Sequence, residues 1–420
     1  MIRRSWKTFL AGVAMAGGLS VSGSAFAGEG CCPTVGSLDC QGCQQLFADN
    51  NQQLTDELAK MSCCNESSCC APTSVCDPGC AEGCGIAAAP GSGVTIGGWV
   101  QMGYHNGVTP NGAAPFDAGS FNNHPNRINM QQGWLYAEKV ADGSNGLDFG
   151  FRGDIMYGVD AADTQSFGNR PGRFDIGADF QRGQYGVAIP QLYGEVASGN
   201  WSVKVGHFFT LVGYEVVAAP DNFFYSHSLT MYNSEPFTQT GAISTYTVSD
   251  RTSIYAGWTM GWDTGFNRFR DGSSFMGGFS TSLSDDVTFT YISTAGDFGV
   301  RNNGYAHSLV FDVAVSDKLN YILQSDLVQT NSPAVGAFAG PGEDVGINQY
   351  LIYTVSETVG VGTRVEWWKR DGNSQYAATF GVNVMPMDNL VIRPEIRHDW
   401  ALNGGNQTET TLGVDAILTF

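Results

Sequence analysis

Residues 390 to 420 read LVIRPEIRHDWALNGGNQTETTLGVDAILTF, and the chain ends on an aromatic residue. The first part alternates between two kinds of side chain, with Leu390, Ile392, Pro394, Ile396 and Trp400 on one face and Arg393, Glu395, Arg397 and Asp399 on the other. After the turn-forming ALNGGNQ, the alternation restarts and runs to Phe420. Two faces of such different polarity suit a strand between hydrocarbon and water, although strands of soluble sandwiches also alternate.

Repetition favours the membrane interpretation. Short polar turns of nearly one type precede the later strands: VSDRTSIY at Val248, LSDDVTFT at Leu283, VSDKLNYI at Val315, VSETVGVG at Val355 and PMDNLVIR at Pro386. Ser, Asp and Asn close tight turns because their side chains bond nearby backbone groups. About ten alternating residues follow each turn, which is roughly the length of a tilted strand that crosses a bilayer. The chain is therefore predicted to be a series of membrane hairpins.

The same template predicts sixteen strands and an all-β fold, a transmembrane antiparallel up-and-down β-barrel. They lie near 94–105, 127–140, 147–157, 188–198, 201–211, 241–248, 252–262, 274–283, 287–293, 305–315, 319–329, 347–355, 359–369, 375–385, 390–400 and 408–420. Long and short connections alternate to the end of the chain, as in barrels with short turns on one side of the membrane. Fourteen or eighteen strands stay open, since the segment 287–293 is weak.

Composition agrees with this fold class. Glycine accounts for 55 of 420 residues and only 15% of residues are charged, against about a quarter in a soluble protein. After the amino terminus, no run of about 20 apolar residues predicts a membrane helix. The net charge of -19 makes a nucleic-acid partner a poor prediction.

Period two also assigns the two faces of the barrel. Apolar side chains such as Phe149, Trp258 and Phe380 are expected to face lipid. Charged side chains such as Arg152 and Arg364 are expected to face the interior, since Arg or Lys at the bilayer midplane costs about 2–4 kcal/mol. Side chains cannot fill a barrel of sixteen strands, so a water-filled channel is expected.

Residues 1–27 have the pattern of a secretory signal peptide. Arg3, Arg4 and Lys7 precede an apolar run, and Ala25-Phe26-Ala27 predicts cleavage after Ala27. Export would place the cysteine-containing residues that follow in an oxidising compartment.

Residues 28–93 form a Cys-rich segment that is predicted to lie in the periplasm, before a barrel over 94–420. It holds all 11 cysteines: Cys31, Cys32, Cys40, Cys43, Cys63, Cys64, Cys69, Cys70, Cys76, Cys80 and Cys84. In an oxidising compartment they favour disulfides, while zinc is the alternative without any histidine nearby. The odd number leaves a thiol free or bonded to an envelope partner. A short helix is expected within Leu38–Met61 and a linker over 71–93.

From Val94 onward, the chain resembles the OmpL-like β-barrel porin family of outer membranes. The most specific stretch is GHFFTLVGYEVVAAPDNFFYSHSLTM at Gly206–Met231. The final Phe420 is similar to the ending by which such barrels are recognised by the barrel-assembly machinery. The resemblance implies a barrel in outer-membrane lipid and passive diffusion of small hydrophilic solutes or ions. No cofactor or metal is expected. By analogy with porins of sixteen strands, a homotrimer is expected.

In general porins the third long loop narrows the lumen, so the resemblance assigns this constriction role to 212–240. Its acidic residues are Glu215, Asp221 and Glu235. A charged lumen wall would face them, comprising Arg127, Arg152, Lys204, Arg364, Glu366, Arg393, Glu395 and Arg397. Such charges set ion selectivity. Alternatively, they only pair with one another, and the aromatic residues of the loop suggest that it packs in place.

Two further classes of function are weighed. An enzyme is not expected, because the six histidines are scattered and none lies in a nucleophile motif such as GxSxG. His227, between two serines of the loop, is the best single candidate. The other class is an outer-membrane anchor or adhesive barrel that is cross-linked through its Cys-rich segment.

Overall fold

A computed structural model of the chain describes residues 93–107, 121–166, 174–175, 184–331, 342–402 and 405–420. The predicted signal peptide with its cleavage after Ala27, the disulfide candidates from Cys31 to Cys84, and the helix within Leu38–Met61 lie outside these residues. The linker predicted over 71–93 does too, apart from its last residue.

The described residues form one closed antiparallel sheet. Its strands are β1 (Thr95–His105), β2 (Arg127–Lys139), β3 (Asp148–Gly158), β4 (Gly186–Ala188), β5 (Leu192–Ser198), β6 (Trp201–Phe209), β7 (Thr238–Ser249), β8 (Thr252–Trp262), β9 (Ser273–Ser282), β10 (Val287–Asp297), β11 (Asn303–Ala314), β12 (Leu319–Thr330), β13 (Glu343–Thr354), β14 (Val359–Arg370), β15 (Asn373–Met387), β16 (Leu390–Leu402) and β17 (Gln407–Thr419). The ring closes because β1 pairs with both β2 and β17, and Gly98 and Phe420 exchange two backbone hydrogen bonds of 3.0 Å.

The barrel has 16 strands, as the sequence predicts, since β4 and β5 are two parts of one strand. Both parts pair with β3. They are separated by Ile189, Pro190 and Gln191, where proline lacks the N–H that a sheet ladder requires. The weak segment 287–293 belongs to a full strand, β10, that continues to Asp297.

The serines of the repeated turns act as the sequence predicts. The hydroxyl of Ser249 accepts a hydrogen bond of 3.3 Å from the backbone N–H two residues later, and Ser284, Ser316 and Ser356 make the same contact at the same distance. These turns lie at one end of the barrel, here called the short-turn end. The opposite end is the long-connection end.

The strict alternation of long and short connections was a wrong prediction near the carboxy terminus. At the long-connection end, β14 and β15 are joined by only Asp371 and Gly372. Both have positive φ, 49° and 86°, which is the geometry of the tight hairpin turn that Asp-Gly favours.

Aromatic side chains mark two belts on the outer surface. Near the short-turn end the exposed aromatic residues include Phe149, Trp201, Tyr246, Tyr353 and Phe420, and near the long-connection end they include Tyr104, Tyr157, Trp258 and Tyr305. Apolar side chains such as Val205 and Phe380 lie exposed between the belts. Two aromatic girdles around an apolar band are typical of a membrane barrel. Among the described residues, no helix is long and apolar enough to cross a bilayer.

Two short α-helices and two 3₁₀ turns (Gly143–Asn145 and Ala219–Asp221) complete the described elements. Helix α1 (Ala161–Thr164) follows β3, and α2 (Leu229–Ser234) lies within the connection between β6 and β7. The hydroxyl of Ser228 caps α2 by accepting from the Met231 N–H at 3.1 Å. Helix α2 packs against β12, β13 and β14, so this connection enters the barrel.

Candidate functional site

The connection between β6 and β7, residues 210–237, is here called the inner loop. It crosses the barrel interior and contacts inward-facing side chains on several strands. Gln132 of β2 donates to the Val217 carbonyl at 2.7 Å, and Gln324 of β12 donates to Glu235 at 2.6 Å. The inner loop therefore spans the interior between these two distant strands.

Arg364 of β14 is the centre of the contacts between wall and loop. It is fully buried and donates to Glu215 of the inner loop at 2.7 Å and to Glu366 on its own strand at 2.6 Å. Its remaining N–H groups reach the Ser226 and His227 carbonyls at 2.7 and 3.2 Å. One guanidinium thus fixes both ends of the loop segment 215–227.

The carboxylates around Arg364 bind the loop backbone. Glu366 accepts from the Leu229 N–H at 2.6 Å, at the start of α2. Glu395 of β16 accepts from the N–H groups of Tyr225 and Ser226 at 2.9 and 3.1 Å. Buried backbone N–H groups require a hydrogen-bond acceptor, and these wall carboxylates supply it for the loop.

Two more arginines hold loop carbonyls while their charges are balanced within the wall. Arg393 donates to the Asn222 carbonyl at 2.7 Å and pairs with Asp415 of β17. Arg397 donates to the His227 carbonyl at 2.6 Å and pairs with Asp399 at 2.8 Å. Each of these two arginines therefore pairs with a carboxylate of the wall and also contacts the loop backbone.

Charge and burial set the protonation of the loop side chains near Arg364. Burial would raise the pKa of the Glu215 carboxyl, but Arg364 and the Ser228 N–H outweigh it and lower that pKa. Burial lowers the pKa of His227 to about 4, so its ring is neutral at neutral pH. The His227 Nε2 lies 3.1 Å from the Val216 carbonyl, so this histidine is a structural residue of the loop.

Glycines on the inner face form a surface that receives the aromatic side chains of the loop. A Cβ at Gly362 of β14 would lie 2.5 Å from the Phe223 ring, and one at Gly381 of β15 would lie 3.1 Å from Phe224. Gly103, Gly346 and Gly413 meet Tyr225 or Thr230 in the same way. At Gly362, Gly103 and Gly346 a Cβ would come closer to the loop side chain than real Cβ contacts allow, and at Gly381 and Gly413 the ring would have to shift slightly.

We expect Gly362→Ala to destabilise the folded barrel by about 1–3 kcal/mol, because the added methyl group overpacks against Phe223. Denaturant unfolding of the protein in lipid vesicles measures this change. The matched control is Gly194→Ala, where a Cβ meets nothing within 4 Å. Equal stability of the two variants would mean that the loop does not press on β14.

The end of the inner loop lies against β12 and β13. Glu235 shares the Gln324 amide with Asp326, and the Ser234 hydroxyl donates to Asp344 of β13 at 3.1 Å. Asp344 also pairs with Arg301 and Arg370 at 2.7 and 2.6 Å. This second charged cluster was missed by the sequence analysis, since charge at alternating positions identifies a face but not a partner.

Asp221 differs from the other two acidic residues of the loop. Glu215 and Glu235 are buried, whereas Asp221, at the end of a 3₁₀ turn (Ala219–Asp221), is exposed. Loss of hydration between the loop and the barrel wall raises the pKa of Asp221 to about 6, and the charge of Arg152 on β3 opposes this shift, so the carboxylate is ionised at neutral pH. Arg152 is partly accessible and pairs with Glu138 and Asp154.

The other predicted wall residues lie apart from these contacts. Lys204 of β6 lies 4.9 Å from the centre of the Tyr193 ring and interacts with Glu195 and Glu138. Arg127 is exposed at the long-connection end of β2 and donates to Gln184 at 2.7 Å. The predicted wall therefore divides into an anchoring group, Arg364, Arg393 and Arg397, and an accessible group, Arg152 and Lys204.

The two halves of the interior differ in access to water. Near the short-turn end, partly accessible hydroxyl side chains line β6 to β10: Ser202, Thr245, Thr247, Ser253, Ser280, Ser282, Thr288 and Thr290. Near the long-connection end, many described inward side chains are buried, such as His105, Thr259, Ser274, Thr294 and Trp368. The part of the interior between these partly accessible hydroxyl groups and the inner loop is here called the vestibule.

Comparison with known families agrees with this fold. Residues 93–420 match the model of the family described as "Putative beta-barrel porin-2, OmpL-like". The chain belongs to this OmpL-like β-barrel porin family. No curated protein matches the chain.

Solved structures with the same fold are outer-membrane channels and porins. The outer membrane channel DcaP of Acinetobacter baumannii matches with a TM-score of 0.53 and 11% identity, over 78% of this chain and 97% of that one. The anion-selective porin from Comamonas acidovorans has a TM-score of 0.52 and 11% identity, over 78% and 99%. A mutant of the Rh. blastica porin has a TM-score of 0.52 and 13% identity, over 78% and 100%. Family and fold together indicate an outer-membrane porin-type barrel.

Proposed function

We propose that the protein forms a water-filled channel for the passive diffusion of small hydrophilic solutes or ions, and that the inner loop narrows it. The observation that carries this proposal is the accessible polar lining next to the loop. An interior that only fills space would bury apolar side chains, whereas hydroxyl groups on five adjacent strands keep contact with water.

The narrowest part of the pathway runs between the inner loop and the wall formed by β3 and β6. Asp221 borders it on the loop side, and Arg152 and Lys204 border it on the wall side. Opposite charges on the two sides give a transverse field, and charges at a constriction set ion selectivity. Since Glu138, Asp154 and Glu195 outnumber the two cations of the wall, Asp221 adds to an excess of negative charge.

We expect Asp221→Asn to reduce the preference for cations, because it removes the exposed carboxylate from the narrow part. The reversal potential in a salt gradient across a planar bilayer measures this preference. Asp286→Asn, at an exposed turn on the short-turn end, is the matched control. A reversal potential that shifts equally in both variants would place Asp221 outside the conduction pathway.

Further parts of this proposal concern export and assembly. Residues 1–27 act as a signal peptide that is cleaved after Ala27, and Phe420 serves as the assembly signal. The barrel forms a homotrimer, and the Cys-rich segment forms disulfides within the chain or with an envelope partner. Peptide mass mapping of the secreted protein without reductant tests cleavage and disulfides together.

The alternative function is an outer-membrane anchor. Many of the described inward side chains near the long-connection end are buried. This burial favours an anchor, because an anchor requires no open path through the barrel. Folded protein that inserts into bilayers without conducting would favour the anchor.

A further inference from the structure

A small cavity lies at the long-connection end of the barrel, between β1, β16, β17 and the inner loop. His105, Asp399 and Glu409 are among the residues that line it, together with Ser226 of the loop. Its volume is about 20 Å³. Since one water molecule needs about 10–15 Å³, the cavity holds a single group of that size.

His105 leaves a hydrogen-bond acceptor without a partner at this cavity. The residue is 3% exposed, and its Nδ1 lies 3.2 Å from the Asn106 carbonyl. A carbonyl only accepts, so this contact places the proton on Nδ1 and the lone pair on Nε2. The buried Nε2 has no hydrogen-bond partner among the described residues. Because buried polar atoms are normally satisfied, this acceptor favours a donor that comes from outside the protein.

The charged side chains that line the cavity add to one negative charge. Arg397 and Asp399 balance each other at 2.8 Å, and Arg397 also donates to the His227 carbonyl at 2.6 Å. Glu409 is partly accessible and interacts electrostatically with His105. Its carboxylate is the charge in excess, so the cavity favours a cation over an anion.

The rim of the cavity is fixed before any ligand binds. The side-chain oxygen of Asn106 accepts from the Leu412 N–H at 2.6 Å, and the Gly107 carbonyl accepts from the Asn126 amide at 2.8 Å. These contacts hold residues 105–107 against β17 and the start of β2. Little ordering is therefore needed on binding, which lowers its entropic cost.

We propose that this cavity binds the ammonium group of a small primary amine. Such a group is similar in size to a water molecule, carries one positive charge, and has three N–H donors and no acceptor. The acceptors that it meets are His105 Nε2, the Glu409 carboxylate and the Thr411 hydroxyl. Small amines as the solutes that the protein carries rest on the proposed channel function, whereas the binding site does not.

Nitrogen NMR of the folded, detergent-solubilised protein with isotopically labelled histidine tests the site. An ordinary histidine has a pKa of about 6.5, so at about pH 8 the ring is neutral and Nε2 can accept. We expect methylammonium chloride to shift one histidine signal. His105→Phe identifies this signal by its loss and keeps a ring against Tyr225, whose centre lies 6.4 Å away. Tetramethylammonium chloride, which has the same charge but no N–H donor, leaves the signal in place.

Glu409→Gln is expected to raise the dissociation constant of methylammonium about ten-fold, because the amine loses a hydrogen bond to a charged group. The matched control is Glu343→Gln, at an exposed position of the same end of the barrel, which leaves the constant unchanged. An unchanged constant in Glu409→Gln, or a shift that tetramethylammonium reproduces, would overturn the proposal. An equal shift with KCl would overturn it too, since it would mean a site for inorganic cations.

The NMR signal does not depend on conduction, so the site and the channel fail separately. A shift in a barrel that conducts no ions supports the site and contradicts the channel. A conducting barrel without a shift contradicts the site alone.

Discussion

Replacing residues 218–236 with a short Gly-Ser linker is expected to increase single-channel conductance by the largest factor of any change considered for this protein. The deleted residues include α2, the aromatic residues that lie on the glycine surface, and exposed Asp221. Without them, water and ions fill the space between β2 and β12. Conductance steps of the refolded variant in a planar bilayer, compared with those of the wild type, measure the change.

A deletion of residues 332–341, between β12 and β13, controls for the effect of shortening a connection at the same end of the barrel. Both variants must show heat-modifiable migration on gels, which reports a folded barrel. Unchanged conductance in the 218–236 variant would contradict the assignment of the inner loop as the constriction.

Arg364→Ala is expected to have the largest effect of a single substitution on stability. It removes the ion-pair partner of buried Glu215, one of the two arginines beside buried Glu366, and donors to the Ser226 and His227 carbonyls. Removal of one partner from a buried ion pair costs about 3–5 kcal/mol, because the remaining charge is left unpaired. The free energy of unfolding in lipid vesicles measures the loss.

Arg251→Ala is the matched control, since Arg251 pairs with Asp285 at an exposed turn, where such pairs are worth about 0–1 kcal/mol. A loss for Arg364→Ala as small as that of the control would mean that the loop is not held by this arginine. We expect the destabilised variant also to conduct with more current noise, because the anchored segment 215–227 is released.

The strand pattern could be predicted from the sequence because a membrane barrel separates two solvents along every strand. Alternation therefore marks each strand and its faces, as in the final hairpin, and the serine turns mark the boundaries. The interruption at Pro190 and the two-residue turn at Asp371-Gly372 were missed because each is a local exception to the repeat.

The contacts of the inner loop could not be predicted in the same way. Alternation identified Arg364 as inward-facing, but its partner Glu215 lies 149 residues away in sequence. Only the closed barrel and the path of the loop bring them together. The contact of Glu235 with Gln324 and the role of the glycines on the inner face depend on that path for the same reason.

The transverse field was predicted from residue types alone. In the structure, ion pairs separate the predicted wall charges into two groups. Arg393 pairs with Asp415, and Arg397 pairs with Asp399, so these charges are balanced within the wall. Asp221 and Arg152 remain as the accessible charges of opposite sign. The sequence contains no signal that separates the two groups.

The most direct test of the central claim is the single-channel conductance of the refolded wild-type protein in a planar bilayer, with reversal potentials in a salt gradient. The inner loop beside the partly accessible, polar vestibule leads us to expect stable open steps with a weak preference for cations. Protein that is folded by its heat-modifiable migration, inserts into the bilayer and yet shows no steps would contradict the channel and favour the anchor.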